Sequence, residues 1–301
     1  MLDTGVLAQI LWTGLATSSY MVLFTVAFAL VLKVVKLWNF AQAGMMAIAF
    51  YAMHAALARF GWPTPAAVAF GFAVTLAATL ALEVWGLRVL RARGSSGLFF
   101  FIFTLVCSEF AAFALTLVFG TEPVPLFPQI LSPTRIVAGI AVSDWDLMAV
   151  SVTLALCAAL ALWLRLSRDG QFMVAVSDNA ALAELYGINA RRAYLAAFAI
   201  ATVFVCAGMY VYGSRTAVIP TAPLNLMVFA VVATLLGGMG NVFGAAGAAV
   251  VLSLLQSYSV LVIPSQWQNL LLYGFLFVTI LFFPRGVPLD RLRAIFRRAQ
   301  A

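Results

Sequence analysis

The amino-acid sequence predicts an all-α integral membrane protein of about nine transmembrane helices, on three observations. Apolar residues fill 65% of the 301 positions and charged residues only 9%, whereas a water-facing globule carries roughly 25% charged residues. Apolar runs long enough to cross a hydrocarbon core of about 30 Å recur along the whole chain. The basic residues between those runs fall almost entirely on alternate connections, as in chains oriented by excess Lys and Arg in cytoplasmic loops. Lipid is therefore the solvent for most of this surface.

The runs lie near residues 7–32, 38–58, 66–87, 97–119, 146–164, 193–213, 223–239, 243–263 and 268–284. Pro, Gly and charge break them at Lys33 to Lys36, Gly61-Trp62-Pro63, Arg88 to Gly97, Thr121 to Asp144, Arg165 to Arg192, Arg215 to Pro223, Gly237 to Asn241 and Pro264 to Gln266. Met1-Leu2-Asp3 lacks the basic n-region of a cleaved signal peptide, so the first run is expected to stay as a span. With a periplasmic N-terminus and nine crossings, one side collects Lys33, Lys36, Arg88, Arg91, Arg93, Arg165, Arg168, Arg191, Arg192, Arg285, Arg291, Arg293, Arg297 and Arg298. These are 14 of the 17 basic residues, and the other side has only Arg59, Arg135 and Arg215. The rich side reads as the cytoplasm of a bacterial inner membrane, with the C-terminus in it. The net charge of +7 then reflects loop bias, and no nucleic acid is needed to explain it. The polar groups of Trp38-Asn39-Phe40-Ala41-Gln42 interrupt the second run, so eight spans plus a re-entrant segment is the alternative count.

The same inventory excludes several functions. The two lysines, Lys33 and Lys36, do not sit in G-x-x-x-x-G-K-[ST], so no P-loop of this chain cradles ATP phosphates. The longest polar stretch, Arg165 to Arg192, leaves no room for a separate enzymatic domain, and residues 1–301 read as one polytopic unit without catalytic residues. Cys107, Cys157 and Cys206 lie inside apolar runs with no paired spacing and read as packing residues. His54, the sole histidine, has no nearby carboxylate and reads as a helix residue rather than a ligand. No metal or cofactor is expected. Only Glu83 and Glu109 lie within spans, and an intramembrane carboxylate is a functional suspect by default. Glu83 is expected to reach water near its cytoplasmic loop. Glu109 is expected to be the better buried, either as a pathway residue or as a hydrogen-bonded packing residue.

Three stretches carry more specific information. In Gly170 to Asn189, Ser177 or Asp178 offers a helix N-cap, and Ala180, Ala181, Leu182, Ala183, Glu184 and Leu185 are good helix formers. Gly187 suits the left-handed C′ position, with Ile188 packing back on Leu182 or Ala183, and Asn189 caps the next helix. The expected result is a cytosolic helix of about nine residues whose alanine-rich face suits a groove on a protein partner; an interfacial helix on lipid is the alternative. In Gly237-Gly238-Met239-Gly240-Asn241, a tight connection leads into Gly240, Gly244 and Ala248 at four-residue spacing, a row that lets helices approach closely. In Asn39-Phe40-Ala41-Gln42-Ala43-Gly44, two amides mark either an interrupted helix of the kind transporters use or interhelical hydrogen bonding.

Together these stretches resemble the permease subunits of branched-chain amino-acid ABC importers, the high-affinity uptake family. Gly14-Leu15 and Tyr20-Met21 match the family's first span. Asn39, Phe40, Ala41 and Gln42 match its Asn-Phe-Ala-His/Gln motif, and Gly170, Met173, Ala175, Ala183, Gly187, Ile188 and Asn189 its cytosolic loop. Gly237, Gly238, Gly240, Gly244 and Ala245 match its Gly-Gly-x-Gly segment, and Phe283-Pro284-Arg285-Gly286-Val287 its last span end. Ala43-Gly44 and Val174 depart from the family pattern, which has Gly-Glu and Arg there. The resemblance implies alternating access driven by separate cytosolic ATPase subunits, with a second permease subunit and a periplasmic solute-binding protein. The coupling element would be the loop 165–192, through Ser177 to Gly187. The solute would be a branched-chain amino acid or a related amino acid, amide or urea. Such a solute needs polar partners along an apolar path, and Tyr20, Asn39, Gln42, Asn225 and Asn241 are the candidates, with Thr13, Ser18, Ser19 and Glu109. A gradient-driven secondary transporter using Glu109, or a membrane scaffold subunit, are the competing readings.

Overall fold

A helix that is hydrophobic on every side belongs inside a bundle, and the first span shows this. In the computed structural model, which describes residues 4–127, 134–137, 139–261, 264 and 267–282, helix α1 (Thr4–Val35) buries every residue from Val22 to Leu32. It packs against α6 (Asp144–Leu166), α9 (Ala190–Gly213), α10 (Ala222–Gly237) and α11 (Val242–Ser259). Helix α2 (Ala41–Ala58) joins this inner layer through α9 and α10.

The outer layer is α3 (Thr64–Ala81), α5 (Gly97–Phe119), α6, α11 and α12 (Gln268–Phe282). A π-helical segment, Leu82–Leu87, carries α3 into the short α4 (Arg88–Ala92). Outer helices turn small or hydroxyl-bearing residues inward: Ala67, Gly71, Thr75 and Thr79 on α3, Thr104, Ser108 and Ala112 on α5. Their large apolar side chains point outward, as lipid rather than water permits, because small residues let helix backbones approach. At Gly71 an added Cβ would overlap the Met53 side chain, and the Thr202 hydroxyl donates to that of Thr79 at 3.3 Å.

Each of the nine apolar runs contains a helix. Among the described residues, seven are long and apolar enough to cross a membrane; α10 is a shorter apolar helix of 16 residues, and 15 residues of α12 are described. The second run is helical from Ala41 onward, and its first three residues belong to the connection: α1 ends at Val35, Lys36 adopts φ 60°, and α2 begins at Ala41. The connection is pinned to α5, where Thr104 Oγ1 accepts from the Phe40 amide at 3.2 Å and donates to the Trp38 carbonyl at 3.2 Å.

The charges separate to two ends of the bundle. Lys33, Glu83, Arg88, Arg91 and Arg191 gather at one, together with α7 (Arg168–Asp178) and α8 (Ala180–Leu185). At the other, an antiparallel hairpin of β1 (Thr134–Val137) and β2 (Ile140–Ser143) lies within a connection that reads as a plain break in the sequence. Gln9 pairs with both backbone groups of Ala141 there, and the Ser143 and Asp146 side chains cap α6 reciprocally. Asp146 also accepts from Trp12 Nε1 at 3.1 Å and lies 3.6 Å from Arg215, tying α1, α6 and the α9 exit together. The C-terminal arginines from Arg285 onward, with the Phe283-to-Val287 motif, lie outside the described residues.

Candidate functional site

The basic end carries a short helix defined at both ends by local chemistry. The loop 165–192 holds two helices. Ser177 is interior to α7, buried, with its hydroxyl donating to the Val174 carbonyl, and Asp178 is the last residue of α7. The N-cap is instead Asn179, whose Oδ1 accepts from the Leu182 amide at 3.0 Å. The following helix has six residues, not nine, because α7 takes up the first part of the stretch. Its C-terminal end matches the sequence expectation. Gly187 has φ 80°, the Gly187 and Ile188 amides donate to Glu184 and Ala183 carbonyls, and Asn189 caps α9 through the Arg192 amide at 3.2 Å.

Ala183 does not face outward. It is buried with Val176, Ala190 and Ala193, with Ile188 and Tyr194 against them. The exposed face carries Ala181 and Glu184 with the large side chains Leu182, Leu185 (83% exposed) and Tyr186 (80%). Alternation of small and large residues conceals this in the sequence, since the docking of α8 on α9 selects which alanine is covered.

Between α1 and α11, toward the opposite end, an opening of about 250 Å³ is lined by Thr17, Tyr20, Met21, Ser253, Gln256, Ser257 and Val260. A single water needs only roughly 10–15 Å³ of such space. The Thr17 hydroxyl donates to the Thr13 carbonyl at 2.9 Å and that of Ser257 to the Ser253 carbonyl at 3.0 Å, so both turn lone pairs to a guest. Ser253 Oγ is buried with no hydrogen-bond partner among the described residues, an arrangement that costs about 1–3 kcal/mol until a guest or water satisfies it. Gln256 offers both a donor and an acceptor. No charged side chain is among the described lining residues. The helices meet closely beside it, at Gly14, where a Cβ would lie 2.9 Å from Ser257 Oγ. Tyr20 backs the pocket, its ring 5.1 Å from that of Tyr212. The sequence signal for this pocket is Ser253, Gln256 and Ser257 at i, i+3 and i+4 on one helix face.

The remaining candidates are dispersed. Asn39 and Gln42 are buried beside the α1–α2 connection; Gln42 Nε2 donates to the Phe24 carbonyl at 3.4 Å, while Asn39 Oδ1 and Gln42 Oε1 have no partner among the described residues. Asn225 is exposed near the start of α10. Asn241 is an exposed cap of α11, its Oδ1 accepting from the Gly244 amide at 2.9 Å, and it faces Lys33, Met173 and Ser177 across a small cavity. The close approach in the glycine segment is between Gly237 and the Gly244–Ala245 backbone, whereas Gly238 (φ 94°) shapes the turn and Gly240 has open space around it. The row Gly240–Gly244–Ala248 is therefore not the contact line.

The two intramembrane carboxylates exchange the environments expected of them. Glu83 is 2% exposed and paired with Arg91. In an ideal α-helix, residues eight apart differ by about 80° in direction. The π-helical turn absorbs one extra residue and brings Arg91 back over Glu83. Arg91 also stacks on the Tyr194 ring, 5.0 Å from its centroid. Glu109, by contrast, is exposed on the outward face of α5.

The geometry is that of a helical, multi-pass bundle with an uncharged hydrogen-bonding pocket between two spans and a short exposed helix at its basic end. The chain belongs to the permease-component family of branched-chain amino acid transport systems, whose pattern it matches over residues 10–281. It is 25% identical to the high-affinity branched-chain amino acid transport system permease protein LivH of Salmonella typhimurium and 23% identical to BraD of Pseudomonas aeruginosa, each over 93% of this chain and 94% of the relative. A 138-residue stretch is 33% identical to the xylose transport system permease protein XylH of Haemophilus influenzae, covering 43% of this chain and 37% of that one. PsaBC from Streptococcus pneumoniae, solved in complex with a Fab, shares the fold with a TM-score of 0.51 at 13% identity, covering 96% of this chain and 95% of that chain.

Proposed function

We propose that this chain is the transmembrane permease of an ATP-driven importer for a small net-neutral solute, a branched-chain amino acid or a related amino acid, amide or urea. It works in the bacterial inner membrane by alternating access with cytosolic ATPase subunits, a second permease subunit and a periplasmic solute-binding protein. The observation that carries the reading is α8, a capped helix exposing Leu182, Leu185 and Tyr186 at the basic end of a family permease. The loop 165–192 is its coupling element, and the α1–α11 pocket is the solute contact. An uncharged lining does not offset the desolvation cost of a net-charged solute. A gradient-driven transporter built on Glu109 has less support, because that side chain lies on an outward face away from the pocket.

Proteoliposomes holding the permease with its ATPases, second permease and binding protein should take up labelled L-leucine or urea only with ATP on the side that carries the ATPases. A proton or sodium gradient alone should drive none. Ser253→Ala and Gln256→Leu should each raise KM about fivefold to tenfold, the equivalent of one lost hydrogen bond. Uptake on a gradient without ATP would overturn the importer, and unchanged KM values would overturn the pocket assignment.

Nine crossings with a periplasmic N-terminus follow if α10 and α12 both span. Reporter fusions after Arg93, Arg168 and Arg298 should then be cytosolic, and fusions near Glu122 and Pro264 periplasmic. A fusion at Met1 separates nine crossings from eight, and a periplasmic C-terminus would reverse the orientation.

A further inference from the structure

Glu109 is the thirteenth of the 23 residues of α5, at the middle of a helix long enough to span a bilayer. Helix α5 packs on α2 and turns Thr104, Ser108 and Ala112 inward. Outward it presents Phe99, Ile102, Val106, Glu109 and Phe113 at alternating three- and four-residue spacing, the repeat of a helix-pairing seam. No hydrogen bond or ion pair reaches Glu109 among the described residues. Of the other described acids, Glu83 is buried and paired, and the rest lie at helix ends or in connections. Lipid tails offer a carboxyl group no donor at this depth, which is why such residues face protein or a water-filled path. A water path does not fit, because the neighbours on this face are large and apolar, with Val106 59% and Phe113 62% exposed.

We propose that this face of α5 is the contact surface for a second permease-type subunit, whose facing transmembrane helix places a hydrogen-bond donor, a basic or amide side chain, opposite Glu109. The proposal rests on the importer reading for the existence of that subunit and adds where it sits and what it must present. The apolar seam supplies shape on both sides of mid-depth, and the single polar position sets register, the best-attested use of a polar residue in a helix pair.

The test uses the whole complex with Cys107, Cys157 and Cys206 replaced by alanine. Labelled with a maleimide–benzophenone reagent and illuminated, Val106→Cys and Phe113→Cys should join the second permease at least tenfold more than Trp85→Cys or Leu154→Cys, which are outward-facing controls. Glu109→Gln, which keeps hydrogen bonding, should retain the second permease on purification. Glu109→Leu should lower its recovery at least fivefold at equal membrane abundance. Control-level crosslinking, a crosslink only between two copies of this chain, or full recovery with Glu109→Leu would each overturn the proposal. ATP-driven uptake that persists alongside those results leaves the importer reading standing, whereas failure to isolate any second permease with wild type removes that reading and the proposal together.

Discussion

Leu185→Asp combined with Tyr186→Asp should leave the protein folded and inserted yet cut ATP-driven uptake at least tenfold. Both side chains are more than three-quarters exposed, and substitutions at such positions usually change stability by no more than about 0.5 kcal/mol. If they fill a groove on an ATPase subunit, each contributes roughly 1.5–3 kcal/mol of apolar burial there. Losing both removes about 3–6 kcal/mol of binding, more than two decades in affinity. Gly187→Val should act through the backbone, because a β-branched residue is strained at φ 80°, by about 1–2 kcal/mol. That frays the end of α8 and should lower ATPase co-purification less than the double aspartate change. A cysteine at Ala181 should crosslink to the ATPase with nucleotide-dependent yield, while one at buried Ala183 should not. Normal uptake by the double variant would remove α8 as the coupling element. Quenching of a probe at Leu185 by lipid-tail labels, with normal ATPase recovery, would identify it as an interfacial anchor.

Arg91→Met should be the most destabilising single substitution at the basic end. It leaves the Glu83 carboxyl group, 2% exposed, without its partner, and breaking a buried pair from one side costs about 3–5 kcal/mol. It also removes the stacking of Arg91 on Tyr194, a residue packed against the cluster that seats α8. Glu83→Gln should cost less, because the glutamine side-chain oxygen still accepts from the Arg91 guanidinium. The double variant should recover most of the loss, since two matched neutral groups carry no uncompensated charge. Thermal midpoints of the detergent-solubilised protein, followed by fluorescence-detected size exclusion, measure this cycle. Equal midpoints for Arg91→Met and wild type would show that the pair contributes nothing to the fold.

Much of the short helix was legible before any tertiary contact was known. Gly187 at the left-handed position, Ile188 folding back and Asn189 capping α9 all depend on a few consecutive residues. The N-terminal side was misread because Ser177, Asp178 and Asn179 are all competent caps, and only the extent of α7 selects Asn179. Tyr20, a polar candidate on the first span, lines the α1–α11 pocket. Ser253, Gln256 and Ser257 were not singled out, because nothing along α11 indicates that its polar face meets α1 near Gly14.

By itself the sequence determined the solvent, the number and type of apolar runs and the sharp C-terminal end of α8. Those follow from composition, run length and nearest-neighbour backbone chemistry. Only the tertiary structure decided which face of each helix turns inward. In water that choice is written as hydrophobic periodicity. In lipid both the interior and the exterior are apolar, so the periodic signal fades and small residues and hydroxyls decide the packing instead. The two glutamates show the consequence: each sits in an apolar run, yet the π-helical turn buries Glu83 against Arg91 while the packing of α5 on α2 leaves Glu109 facing outward.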